Sequence, residues 1–181
     1  MKLTIRKGVF ETNSSSTHAV VVTRKKVQDF PENLTFKLGA FGWEKRWYTL
    51  PEDKASYLYT CLAIYYLCYE NNGNEKFIKA IEQINRVLNK KGINCTFEHL
   101  DELYKKGYPV LWEYDANIDH VGELAEFIQD VSRTESKLFR FLFSPDSFIL
   151  TGNDNSEESY VDEKKVKTYC KNPGEVYYKG N

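Results

Sequence analysis

The residues with the most chemistry for their length lie in one short polar stretch over residues 6–18, which reads RKGVFETNSSSTH. Its three consecutive serines, Ser14, Ser15 and Ser16, are flanked by Asn13 and Thr17. Such a run is poor at forming helix or strand, because each hydroxyl competes for nearby backbone groups. It is good at presenting short donors and acceptors, and successive backbone N–H groups in a turn form an anion-binding concavity. Arg6, Lys7, Glu11 and His18 add two cations, a carboxylate and an imidazole. These are the parts needed to grip a phosphate and move a proton. Metal-free cleavage of RNA requires a base for the 2′-hydroxyl, an acid for the leaving oxygen and donors for the phosphorane. We expect His18 to supply one of the first two roles, since imidazole ordinarily titrates near pH 6.5. Glu11 or His120 would supply the other. Arg6 would clamp the phosphate, with Thr12, Asn13, Ser14, Ser15 and Ser16 as further substrate-binding groups.

Each of these residues also has a plainer role. Serine- and asparagine-rich runs often serve as surface linkers, and a lone histidine is more often structural than catalytic. Two features weigh against a linker: Glu11 and His18 stand at its ends, and Val9-Phe10 and Ala19-Val20 anchor it to apolar strand residues. His120 follows Asp119, which as a helix N-cap would account for that pair. Asp154 and Asn155 lie in a Gly-Asn-Asp-Asn turn, where turn chemistry is one explanation and a place in the substrate site the other. Glu11, Asp119 and Asp154 could together hold Mg²⁺, yet no spacing demands it and no cofactor is expected. Cys61, Cys68, Cys95 and Cys170 have no metal-ligand spacing. There is no P-loop, no dinucleotide fingerprint and no G-x-S-x-G nucleophile elbow.

The elements that must position these groups read as a mixed set. Alternating or β-branched segments predict strands at 3–5, 18–23 and 33–38, followed by a loop or irregular strand rich in aromatics. Pro51, Glu52 and Asp53 open a helix running to about residue 70, apolar nearly all round and therefore central and buried. Cys61 and Cys68 lie on it as small core residues. Phe77, Ile81, Ile84 and Leu88 mark an amphipathic helix closed by Gly92. Residues 93–97 read as a strand, 99–106 as a short helix, and 110–114 as another strand. Leu124, Ile128 and Val131 mark a helix followed by the aromatic run 138–143. A strand over 147–151 ends in a turn from Gly152, and 166–170 with 176–178 suggest a closing hairpin. The sum is a single α+β domain over 1–181, with a mostly antiparallel sheet and three to five helices, one of them central and buried.

Composition limits the function classes. At 181 residues with 41% hydrophobic content the chain can bury a real core. Lys plus Arg total 25 against 26 Asp plus Glu, a net charge of -1. That balance excludes a general nucleic-acid coat and an acidic nucleic-acid mimic, and it predicts weak affinity for free RNA. The opening MKLTIRKG has no apolar core of a signal peptide, and the longest uncharged apolar stretch, 55–69, is too short to span a bilayer. A cytoplasmic protein without a membrane partner is expected.

Residues 8–18, GVFETNSSSTH, resemble the N-terminal signature of a group of small proteins from phages and mobile elements of Gram-positive bacteria. The segment 147–155, SFILTGNDN, resembles a second pattern of that group. The group includes anti-CRISPR inhibitors of type II-A Cas9, and the chain is most similar to those that cause truncation of the guide RNA. The resemblance implies a protein of the bacterial host cytoplasm that meets the Cas9–guide RNA complex. It implies a ribonuclease-like action on the guide RNA, assisted by Cas9; the catalytic roles above rest on residue chemistry alone. Two alternatives stay open: a non-catalytic inhibitor that blocks assembly or target binding, and a group-transfer enzyme that modifies Cas9.

Overall fold

A β-branched run ending in three consecutive valines builds the first strand of the main sheet, β1 (Ser16–Val22). The computed structural model describes residues 16–24, 27, 29–42, 44–153 and 176–180. The strand expected at 3–5 and the first arm of the hairpin, 166–170, lie outside them. β1 pairs antiparallel with β7 (Phe148–Asn153), Ser16 facing Asn153 and Val21 facing Phe148. On its other side it pairs antiparallel with β8 (Val176–Gly180), so β8 joins β1 in the sheet. β4 (Arg46–Tyr48) lies along the far side of β7, giving the order β4-β7-β1-β8. Gly152 and Asn153, expected to begin a turn, still belong to β7.

One face of this sheet carries Val20, Val22, Ile149, Tyr48 and Tyr178 into the main core. The opposite face carries Ala19, Val21, Phe148 and Leu150, a separate apolar cluster. Against the first face lies α1 (Pro51–Ile64), which starts on proline with Glu52 and Asp53 in its first turn. Burial on every side explains its place: of the eleven positions from Lys54 to Ile64 only Ser56 is not buried. It is the central buried helix the sequence predicts. α2 (Gly73–Asn89), α5 (Ala125–Arg133) and α6 (Glu135–Phe143) pack around it, each with one apolar stripe. Two parallel pairs, β2 (Asn33–Phe36) with β5 (Asn94–Phe97) and β3 (Ala40–Phe41) with β6 (Asn117–Ile118), flank the same helix. With α3 (Leu100–Lys106) and α4 (Pro109–Glu113), the described residues form six α-helices, more than the three to five expected, in an α+β fold.

Three local expectations are corrected. Residues 110–114 are not a strand. Pro109 starts the short helix α4, and the adjacent burial of Val110 and Leu111 follows a helical face rather than an alternation. The central helix changes register before it ends, becoming π-helical over Tyr65–Tyr69. That extra residue per turn rotates Cys68 and Tyr69 outward, so Cys68 is exposed and is not a core residue, whereas Cys61 is fully buried. The π-turn is held by Gly73, whose missing Cβ would lie 1.7 Å from the Tyr66 carbonyl oxygen. Only glycine lets the start of α2 come so close.

Lys54 is a second departure from simple burial rules. Its side chain is fully buried, and Nζ donates to the carbonyl oxygens of Ser144 at 2.8 Å and Ser147 at 3.1 Å. Loss of hydration lowers its pKa to about 8. Ser147 Oγ in turn accepts from Thr23 N–H at 3.0 Å, tying the end of β1 to the entry of β7. None of the described helices is long and apolar enough to cross a membrane.

Candidate functional site

The site begins with strand parity. His18 shares the face of Val20 and Val22, so its imidazole points from β1 into the main core and is only 1% exposed. There its Nδ1 and the Tyr57 hydroxyl of α1 share a 3.1 Å hydrogen bond, with ring centroids 5.8 Å apart. Tyr57 is itself wedged edge-on against Phe41, at 5.3 Å between centroids, and lies 6.2 Å from Phe127. Burial is the main cause that pushes the Tyr57 hydroxyl well above its ordinary value, so it stays protonated. Burial is also the main cause that lowers the His18 pKa to about 4, with the nearby His120 adding to the effect. At neutral pH the His18 ring is therefore uncharged, and its protonation is not poised near pH 7 as the free imidazole value suggests.

His120 is brought to the same neighbourhood by β8. That strand places Gly180 opposite His18 and packs against the 3₁₀ turn Val121–Leu124 that His120 precedes. His120 is exposed, adopts a left-handed backbone with φ 53°, and its carbonyl accepts from Glu123 N–H at 2.9 Å. The residue at the cap position is thus His120 rather than Asp119, and it makes no side-chain capping hydrogen bond. Asp119 instead lines a surface groove beside α4. His99 belongs elsewhere: it stacks on Tyr114 at 3.5 Å between centroids, with Nδ1 3.3 Å from Glu102 Oε1.

The register of β1 and β7 relates the two polar segments. Ser16 faces Asn153 and Thr17 faces Gly152, so the last serine of the run and the first two residues of the Gly-Asn-Asp-Asn segment lie on paired strands. Arg6, Glu11, Thr12, Asn13, Ser14, Ser15, Asp154 and Asn155 lie outside the described residues, and Ser16 is placed by its backbone alone. Thr17 Oγ1 is buried without a hydrogen-bond partner. Such an orphan hydroxyl costs about 1–3 kcal/mol.

Among the described residues no three His, Cys, Asp or Glu side chains gather as metal ligands. Of the three carboxylates considered for Mg²⁺, only Asp119 falls among those residues. Sequence reasoning does not find Tyr57: nothing in an apolar helix marks which of its tyrosines meets a histidine 39 positions away. The arrangement among described residues is a buried neutral imidazole on a protonated phenol and an exposed imidazole nearby, while the unpartnered Thr17 hydroxyl lies on the opposite face of β1 with Ala19 and Val21. No protein-family model, no curated protein and no solved structure matches the chain.

Proposed function

We propose that this chain inhibits type II-A Cas9 by promoting truncation of its guide RNA, with the stretch over residues 6–18 as the acting site. One observation carries the reading. The two segments that resemble the phage group, 8–18 and 147–155, are far apart in sequence, yet their described parts pair strand to strand, Ser16 to His18 lying opposite Asn153 to Thr151. A shared signature split over two paired strands is what a single site assembled from both would require. The unsatisfied hydroxyl of Thr17 at the same strand end adds a polar group in want of a partner.

Within this reading the roles divide by burial. His18 is a positioning residue that anchors the serine-rich stretch through Tyr57, and the exposed His120 is the imidazole that can meet a substrate. Glu11 takes the proton of a 2′-hydroxyl, whose oxygen attacks the adjacent phosphorus. The bond from phosphorus to the 5′-oxygen breaks, and that oxygen takes its proton from His120. Arg6 and the backbone N–H groups of Thr12 to Ser16 hold the non-bridging oxygens, joined by Asp154 and Asn155 as polar contacts to the ribose. A net charge of -1 provides little affinity for free RNA, so Cas9 delivers the substrate.

Incubation with assembled Cas9–guide complex, followed by a denaturing gel, tests the proposal. The expected result is a shortened guide, with cutting abolished in Glu11→Ala and His120→Ala. A second reading is favoured by the burial and neutrality of His18: the stretch acts as a contact surface that blocks assembly or target entry without catalysis. An intact guide together with lost DNA cleavage would establish that reading and remove the first. A mass increase on Cas9 would instead support group transfer, and EDTA decides whether Mg²⁺ takes part.

A further inference from the structure

On the side of the molecule formed by the π-turn and α4 lies an open groove of about 570 Å³. Its walls are aromatic and unusually bare. Tyr69 is 64% exposed, Tyr108 44% and Trp112 74%, the last two meeting edge to face at 6.0 Å between centroids. The floor is made of leucine and isoleucine side chains. Exposed large aromatics concentrated in one groove are a costly arrangement for a surface with no partner. Their placement is built into the backbone, because the π-turn is what rotates Tyr69 out of the core and Gly73 is what permits the π-turn.

The charges of the groove identify its occupant. Asp115 and Asp119 line it, and among the described residues no lysine, arginine or histidine does. Asp115 holds the left-handed position after α4, φ 49°, where its N–H donates to Trp112 and that of Ala116 to Leu111 at 2.8 Å. This is the glycine position of a helix C-terminal motif, and aspartate there keeps a carboxylate at the rim at the expense of an easier backbone. Three aromatic rings beside two carboxylates make a receptor for a cationic side chain: the ring faces attract the cation and the carboxylates neutralise it. Aromatic surfaces also stack nucleic-acid bases. Here, however, a phosphate chain would have to run along Asp115 and Asp119, with no cation among the described lining residues to receive it.

We infer that the groove of Tyr69, Tyr108 and Trp112, with Asp115 and Asp119, is a docking site for a protein segment that presents an arginine or lysine between apolar residues. The inference stands whether or not the stretch over residues 6–18 cuts RNA.

The test is titration of the ¹⁵N-labelled full chain, followed at the Trp112 indole N–H, which Trp112→Phe identifies. The probes are a short capped peptide Ser-Gly-Leu-Arg-Leu-Gly-Ser, the same peptide with glutamate in place of arginine, and an oligouridylate. The arginine peptide is expected to shift the Trp112 signal and to bind at least about fivefold more tightly than the glutamate peptide. Asp115→Gly relieves the backbone while removing the carboxylate. Combined with Asp119→Asn, it should weaken the arginine peptide about tenfold while the thermal midpoint stays level or rises. Equal binding of the two peptides, a response to oligouridylate alone, concentration-dependent self-association at Trp112, or no response to any probe would each overturn the proposal.

Discussion

Acid should unfold this protein through one buried ring. His18 gains its proton near pH 4 when folded and near pH 6.5 when unfolded. Between those values the unfolded chain holds a proton that the folded one does not, so stability rises with pH across the window and is lost as pH falls. At about 1.36 kcal/mol for each pH step, the full effect approaches roughly 3 kcal/mol below pH 4, and at pH 5 it is already about 2 kcal/mol. Against a typical total of about 5–15 kcal/mol, that is a large fraction. The assay is urea denaturation at pH 8, 6 and 5 for the wild type and for His18→Gln, which keeps a polar group but cannot titrate. Carboxylates also respond to acid. Lys76 holds Glu70 below its ordinary value, a hydrogen bond from Tyr114 does so for Glu102, and Lys137 for Asp130. They act in both proteins, so the difference between the two curves isolates His18. That difference should move by about 2 kcal/mol between pH 8 and 5. Parallel curves would refute the claim that His18 is a buried neutral ring.

Lys54 should behave in the opposite range. Its pKa is lowered to about 8, so burial of its charge costs most below that value and the cost fades as pH rises toward 10.5. Wild type measured against Lys54→Met should gain about 2 kcal/mol between pH 7 and 9.5 in denaturant titrations, and a constant difference would contradict the assignment. Gly73→Ala should lower stability by roughly 3 kcal/mol, since a methyl group cannot share the space of the Tyr66 carbonyl; thermal unfolding reports it. Tyr57→Phe removes the hydroxyl from His18 and should cost about 1–2 kcal/mol by the same urea assay, with no accompanying loss of helix by circular dichroism.

Where the sequence speaks clearly, it does so through period and punctuation. Pro51 and the two acids after it mark the start of α1, and the spacing of Phe77, Ile81, Ile84 and Leu88 marks α2. The segment 110–114 misleads because its valine, leucine, tryptophan and tyrosine favour strands, while Pro109 carries the opposing signal for a helix start. Tyr69 and Trp112 look like core residues by type; only the π-turn and the local burial pattern turn them outward. The location of a polar site at residues 6–18 is legible from composition, but the state of His18 is not. Both faces of β1 are apolar, with Val20 and Val22 on one and Ala19 and Val21 on the other, so parity does not say which way His18 points. Its partner Tyr57 and its neighbour His120 arrive through long-range packing that no local pattern encodes.

The order β4-β7-β1-β8 also has a consequence in time. β1 is synthesised early but lies between two strands made late, beginning at Phe148 and Val176. At a synthesis rate of about 5–20 residues per second, Val20 and Val22 wait on the order of ten seconds or more for those neighbours. During that interval β1 is an unpaired, largely apolar strand, the kind of segment that chaperones hold and that other chains can capture. The serine-rich stretch beside it is a solubilising flank for a nascent chain. A ribosome-bound fragment ending before residue 148 should therefore associate with holdase chaperones, and release should follow once β7 and β8 are made.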